Sequence, residues 1–161
     1  MKPRFTSLML LVVTLACGLP SQAQDGFGFV FPSAASGSYP CNDARFLQDQ
    51  QRFASGELSK DQPEDVCGVV TSVLPKKNTR SGAHGYFYVQ VASGTSIEIV
   101  SNLDEMNAPA WPWVEVGDYA YVRGRYYYDN ASSQGIDWTH HGTSSSWPQA
   151  GYIVVNGTKY Q

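Results

Sequence analysis

Apolar and polar positions change rhythm once along this chain, dividing a short helical stretch from a longer β-patterned remainder. Phe46, Leu47, Gln50 and Phe53 recur at helical spacing, with Asn42 and Asp43 as capping side chains before them and Gly56 as a stop behind. One amphipathic helix is predicted, over about Asp43–Ser55. Glu57–Asp65 is polar, contains Pro63 and reads as a linker. From Val66 onward the apolar residues are β-branched or alternate with polar ones, the period of a half-buried strand. Val66–Leu74, His84–Ala92 and Thr95–Ser101 form three consecutive strands, the last two joined by a tight turn at Ser93-Gly94. A connection bearing Trp and Pro runs over Asn102–Val116. Gly117-Asp118 then opens a long strand to Tyr128, Ile136–His140 follows the loop Asp129–Gly135, and Tyr152–Val155 adds a short last strand.

Three strands, a longer connection, a long strand and a final one is the order of a five-stranded OB barrel. The expected fold is therefore mainly β: a small five- to six-stranded OB-like barrel over residues 66–161, with one N-terminal α-helix. Pro109 and Pro112 interrupt the helix usual between the third and fourth strands of such a barrel. An immunoglobulin-like sandwich, the rival all-β fold, needs about seven strands.

The start of the chain changes the picture of where this barrel works. Met1–Ala23 has Lys2 and Arg4, an apolar run from Leu8 to Leu15, and small residues at Ser21 and Ala23, the three parts of a secretory signal. Thr14-Leu15-Ala16-Cys17-Gly18 is a competing, weaker lipoprotein-type signal in which Cys17 would carry the lipid. Either route means export, to the periplasm or the medium, and no later run is long enough to span a bilayer. Residues 24–40, rich in Gly, Ser and Pro, read as a loosely held arm, and residues 41–65 as helix and linker. Lys2 and Arg4 are two of the 11 basic residues, so the chain beyond Ala23 carries nine against 14 acidic ones. That balance disfavours bulk nucleic-acid binding. Cleavage after Ala23 also removes Cys17, leaving Cys41 and Cys67 as an even pair in an oxidising compartment, where a structural disulfide is expected.

Chemistry is thinly spread. On the strand Asp118–Tyr128, Tyr119, Tyr121, Arg123, Arg125 and Tyr127 share one face while Ala120, Val122 and Gly124 share the other. The small apolar set goes inside, leaving a Tyr/Arg stripe outside that Tyr86 and Tyr88 can extend. Such a face suits ring stacking and anion pairing, or is merely the solvated side of ordinary β-formers. Lys76, Lys77 and Arg80 lie in a basic loop between the first two strands, one of two loops that flank the ligand face of OB folds. Asp137-Trp138-Thr139-His140-His141 is the densest polar cluster, and His84 also stands at a strand end. On a continuous strand Asp137 and His141 point one way and Trp138 and His140 the other. A zinc site would have to draw on His84, Asp137, His140 and His141, and no spacing here is diagnostic of one. No nucleophile elbow, phosphate loop or Cys-x-x-Cys is present.

From Gly68 to Tyr160 the sequence resembles a bacterial family of exported proteins catalogued as an uncharacterised domain of unknown function. The resemblance is carried by Gly68-Val-Val and Val73-Leu-Pro75, His84-Gly-Tyr-Phe-Tyr-Val89, Ser93-Gly-Thr95 and Asn102-Leu-Asp104, then Gly117-Asp118, Arg123-Gly-Arg-Tyr126, Ile136-Asp-Trp-Thr-His-His141 and Gly151-Tyr-Ile153. The family pattern favours His where this chain has Ser101 and Asp137, and a basic residue near Tyr86. A His-based site implied by the resemblance would be depleted here, with His84, His140 and His141 remaining. The resemblance implies export and a small barrel, and brings no activity with it.

The functional expectation is a binding module rather than an enzyme. It would recognise an anionic or ring-bearing ligand, an oligosaccharide or a protein surface, through Tyr86, Tyr88, Arg123, Arg125, Tyr127, their stripe neighbours, Trp138 and the basic loop. The alternative is a metal-assisted hydrolase or nuclease around the His/Asp cluster. A purely structural partner of an envelope complex is the third reading, and the sequence leaves the oligomeric state open.

Overall fold

The computed structural model of the chain describes residues 39–92 and 94–161. The expected leader, Cys17 and all of the arm before Tyr39 lie outside the described residues. The elements are α1 (Asp43–Ala54), β1 (Gln62–Thr79), β2 (Gly82–Ala92), β3 (Thr95–Asn102), β4 (Tyr119–Asn130), β5 (Ser133–Asp137), β6 (Tyr152–Val155) and β7 (Thr158–Tyr160). No helix among the described residues is long and apolar enough to cross a membrane.

The protein is mainly β, and five of its strands close on themselves. The order β1–β2–β3–β5–β4 returns to β1, because β1 pairs with β4 as well as with β2. One strand serves two neighbours by being long and bent: Gln62–Val69 lies antiparallel to β4, and Val69–Thr79 antiparallel to β2. Gly68 stands at the changeover, where a Cβ would collide with the Gln90 carbonyl, so this crossing needs a residue without a side chain. The β3–β5 pair is parallel and the other four are antiparallel.

Alternation decides what the ring encloses. Ala120, Val122, Gly124 and Tyr126 of β4 face inward, as do Phe87, Val89 and Val91 of β2 and Ile97 and Ile99 of β3. The fourth inward residue of β4 is the large Tyr126, and α1 explains it: Phe46 and Phe53 meet its ring edge-on at 5.0 and 5.4 Å. α1 thus plugs one side of the ring with the Phe residues of its predicted apolar face. The Asn42 side chain caps it by accepting from the Arg45 N–H. Cys41 and Cys67 form a disulfide with Cα atoms 5.5 Å apart, tying the start of α1 to β1. The connection from β3 to β4 has no helix. It packs Met106, Trp111, Trp113 and Val114 onto the core, and the Trp111 ring lies over Gly85, where any Cβ would strike it.

Several boundaries differ from the sequence expectation. β1 begins at Gln62, inside the expected linker, because Pro63–Asp65 is held in register against Arg123–Arg125 of β4. Lys76 and Lys77 lie on β1 rather than in a loop, since the β1–β2 hairpin continues to a tight turn at Arg80-Ser81. β5 stops at Asp137 instead of His140, and a seventh strand, β7, forms a hairpin with β6.

Candidate functional site

β4 offers one edge to two short strands placed end to end: β5 along Arg125–Asn130 and β6 along Ala120–Arg123. The chain between them, residues 138–151, leaves the sheet and returns. It leaves because Trp138 adopts φ +53°, a left-handed conformation that ends strand pairing. The Gly151 N–H donates to the His140 carbonyl at 2.8 Å and closes the excursion at its neck. Thr139, fully buried, donates its hydroxyl to the Val100 carbonyl of β3.

This excursion walls a cleft of about 440 Å³ on the outside of the ring. His84 and Asn102, at paired ends of β2 and β3, form the opposite wall. Val100 also lines the cleft, and Glu105 enters it from the connection after β3. His84, Arg125, Asp137, Trp138 and His140, all singled out in the sequence, line this one cleft. Asn102, Glu105, Ser81 and Thr143 were not foreseen: they come from turns and strand ends that only the ring topology brings together. His141 is exposed and does not line it. Residues 137–141 do not alternate between two faces as on a continuous strand, because β5 ends at Asp137.

Arg125 and Asp137 face each other across β4 and β5 and make a two-pronged ion pair, Nε–Oδ1 2.8 Å and Nη2–Oδ2 2.6 Å. Asp61 adds a carboxylate 3.4 Å from Nη1. The hydrogen bond to Asp137 is the main cause that holds the Arg125 guanidinium above its ordinary range. Trp138 is gripped on several sides. Its indole N–H donates to the Gly142 carbonyl, Arg125 lies over its ring at 5.3 Å, and His140 stacks on it at 5.5 Å. The indole is thereby held against both of those side chains.

The two imidazoles of the cleft are held in opposite tautomers. His84 Nδ1 lies 3.0 Å from the Gly82 carbonyl, which only accepts, so this nitrogen carries a proton and in the neutral ring Nε2 has the lone pair. His140 Nδ1 accepts from the Gly142 N–H at 3.2 Å, so in the neutral ring Nε2 carries the proton. Burial pushes His140 below the ordinary histidine range and favours that neutral form. One wall thus offers an acceptor and the other a donor, with the Asn102 amide and the Glu105 carboxylate beside them.

The rest of the Tyr/Arg stripe divides between two surfaces. Tyr127 lies against Gly135, with burial first and then Glu98 pushing its hydroxyl up. Tyr88 donates to Glu98 at 2.9 Å, and Lys77 stands 5.1 Å from the Tyr86 ring centre, so these residues continue the cleft's side of the sheet. Arg123 turns the other way, paired to Asp65 through Nε and Nη2 at 2.8 and 2.9 Å. Tyr121 and Tyr152 pack around Tyr39, and Tyr119 donates to Cys67 Sγ. Lys76 and Arg80 are exposed in the hairpin.

Metal-ligand geometry is found elsewhere. Among the described residues, three possible ligand atoms come within 4.8 Å of one another at Cys41, Asp43 and Cys67, where both sulfurs are committed to the disulfide. His84, Asp137, His140 and His141 do not converge in this way.

Comparison of the chain with curated proteins and with solved structures gives no match. The model of the family described as "Protein of unknown function (DUF3465)" matches residues 30–161, which takes in every described element of the ring, α1 and the cleft. The chain belongs to that family.

Proposed function

We propose that this protein is an exported binding module: an OB-like barrel that takes a ring-bearing, hydroxyl-rich ligand, an oligosaccharide, in the cleft between His84 and His140. The strand order of the ring and the absence of a transmembrane helix among the described residues are compatible with that reading, as is the disulfide. The observation that carries it is the meeting of His84, Asn102, Glu105, Asp137 and His140 around one cavity of about 440 Å³, a volume suited to one small ligand. Fixed donors and acceptors at close quarters favour hydroxyl groups. Both arginines of the stripe already have carboxylate partners, which removes the main argument for an anionic ligand. Tyr86 and Tyr88 on the adjoining sheet surface supply rings against which further sugar units can lie.

The test is an amide NMR titration of the isotope-labelled chain from Gln24 with short neutral oligosaccharides, and separately with sulfated ones. Shifts centred on His84, Asn102 and Trp138–Gly142, stronger for the neutral series, are expected. No shifts with either series, or shifts confined to the Arg123–Tyr152 surface, would overturn the reading.

A metal-assisted hydrolase is supported by one feature. His84 donates Nδ1–H to a backbone carbonyl and leaves Nε2 free, as metal-binding histidines do. His140 has the opposite arrangement, which counts against it as a second ligand. Stoichiometric zinc binding with shifts at His84 and Asp137 would move this reading to first place.

A further inference from the structure

Glu64 is the most deeply buried carboxyl among the described residues. Its side chain is 0% exposed, near the start of β1 and beneath α1. Neither oxygen accepts a hydrogen bond from an N–H or O–H donor. Arg45 offers only its Nε, 3.8 Å from Oε1, and that arginine is half in solvent. The nearby Asp49 carboxyl of α1, 7% exposed, is paired with Arg52 at 2.9 Å and with Arg45 at 3.7 Å. Arg45 Nε thus stands between the two carboxyls, 3.7 Å from Asp49 and 3.8 Å from Glu64, and is the one cation they share. A carboxylate in such a seat, with no donor of its own and its one cation shared, is costly to ionise, and a proton on Glu64 removes that cost.

The groups facing Glu64 are few. α1 contributes Arg45 and Asp49, β1 contributes Asp65, and β4 contributes Tyr126, whose hydroxyl is occupied in donating to Gln134. Arg45 is the one cation in this set, and it is shared with Asp49. Burial first, and then the contact with Asp49, pushes the Glu64 carboxyl up to about 8. Beyond this pair, α1 is held to the ring by Phe46, Phe53 and the Gln50–Gln134 hydrogen bond, and at its start by the disulfide.

We propose that the buried Glu64 carboxyl is a proton-operated latch on α1: with its proton in place the helix is docked, and loss of that proton releases the helix, with Cys41–Cys67 as the hinge. In the docked state Glu64 keeps its proton, whereas in the undocked state it titrates near its ordinary 4.5. The docked state's advantage is therefore complete below that value and is lost as pH rises through about 8. Release would uncover the Tyr126 side of the ring while the disulfide keeps the helix close enough to return.

Hydrogen exchange of the full exported chain tests this at pH 6 and pH 9, with each rate normalised to its intrinsic chemical rate. Opening of the α1 amides is expected to rise about ten- to a hundred-fold between the two, from linkage over that span. The amides of β2 and β3 should keep their protection, and α1 should recover on return to pH 6. Glu64→Gln, which cannot lose the proton, should make α1 protection independent of pH. Equal α1 protection at both values in the wild-type chain would overturn the latch, as would α1 and ring amides opening together. A Glu64→Gln variant that follows the wild-type profile would do the same. Should that variant not fold, the wild-type profile alone decides.

Discussion

Arg123 and Arg125 stand two residues apart on the same face of β4, each gripped by a carboxylate through two of its nitrogens, yet they belong to different parts of the molecule. Arg123 meets Asp65 on the helix side, where its side chain is 45% exposed, and Arg125 meets Asp137 at the cleft, where it is 28% exposed. The first pair spans the β1–β4 ladder, with the more exposed arginine of the two and the Tyr152 ring 5.8 Å from it. The second has an indole against it and a further carboxylate, Asp61, behind it. Identical pairing chemistry therefore does different jobs: on the helix side it marks register, and at the cleft it builds a wall. What separates them is whether water can replace the lost partner.

The helix side draws its stability from other devices, and removing the strongest of them is the severest test of the contrast. Replacing both Cys41 and Cys67 by Ala should cost about 3 kcal/mol in denaturant unfolding, the chain-entropy value for a loop of this length. The cleft resonances should stay in place. Second in size is Asp137→Ala, which leaves the Arg125 guanidinium facing only Asp61. A loss of about 2 kcal/mol is expected, between the ranges for exposed and buried pairs, with Trp138 and His140 resonances displaced. Asp65→Ala, the matching change on the helix side, should cost less than about 1 kcal/mol, because solvent takes over Arg123. Equal losses for the two aspartates would erase the distinction.

The smallest effect sharpens the cleft side by pH. Burial holds His140 below the ordinary histidine value of 6.5, so the unfolded chain binds a proton there more readily than the folded one. Its contribution to stability is full above 6.5 and is lost as pH falls below it toward the folded value. Wild-type unfolding free energy should therefore decline by a few tenths of a kcal/mol on acidification to about pH 5.5. A His140→Asn variant should lack that component of the decline.

Much of the ring could be read from residue patterns, because alternation and β-branching act locally. The inward set Ala120, Val122 and Gly124, the helix around Phe46 and Phe53, and the Cys41–Cys67 bond follow from spacing and composition. Pairing across strands could not be read in the same way. The stripe arginines looked free because their partners, Asp65 and Asp137, sit on neighbouring strands whose register sequence does not display. The cleft was half visible for a similar reason. His84, Asp137 and His140 are conspicuous by type, whereas Glu105 and Asn102 are ordinary until ring closure carries the end of β3 beside β5. The positive φ of Trp138 had no signal either: an indole is an unusual residue for that conformation, and it is held there by Gly142 and Arg125.

The end-to-end placement of β5 and β6 along one edge of β4 has a consequence for how this architecture can be altered. Their register is fixed separately, Tyr126 to Ile136 on one side and Val122 to Ile153 on the other. The fourteen or so residues between them are closed at the neck by the Gly151–His140 hydrogen bond and pinned to β3 through Thr139, so the stretch beyond His140 can be treated as a cassette. A graft between Thr143 and Ala150 that keeps the buried Trp147 can be lengthened at little entropic penalty, since closure cost grows only slowly with loop length. One wall of the cavity can thus be exchanged while the paired strands beneath keep their register.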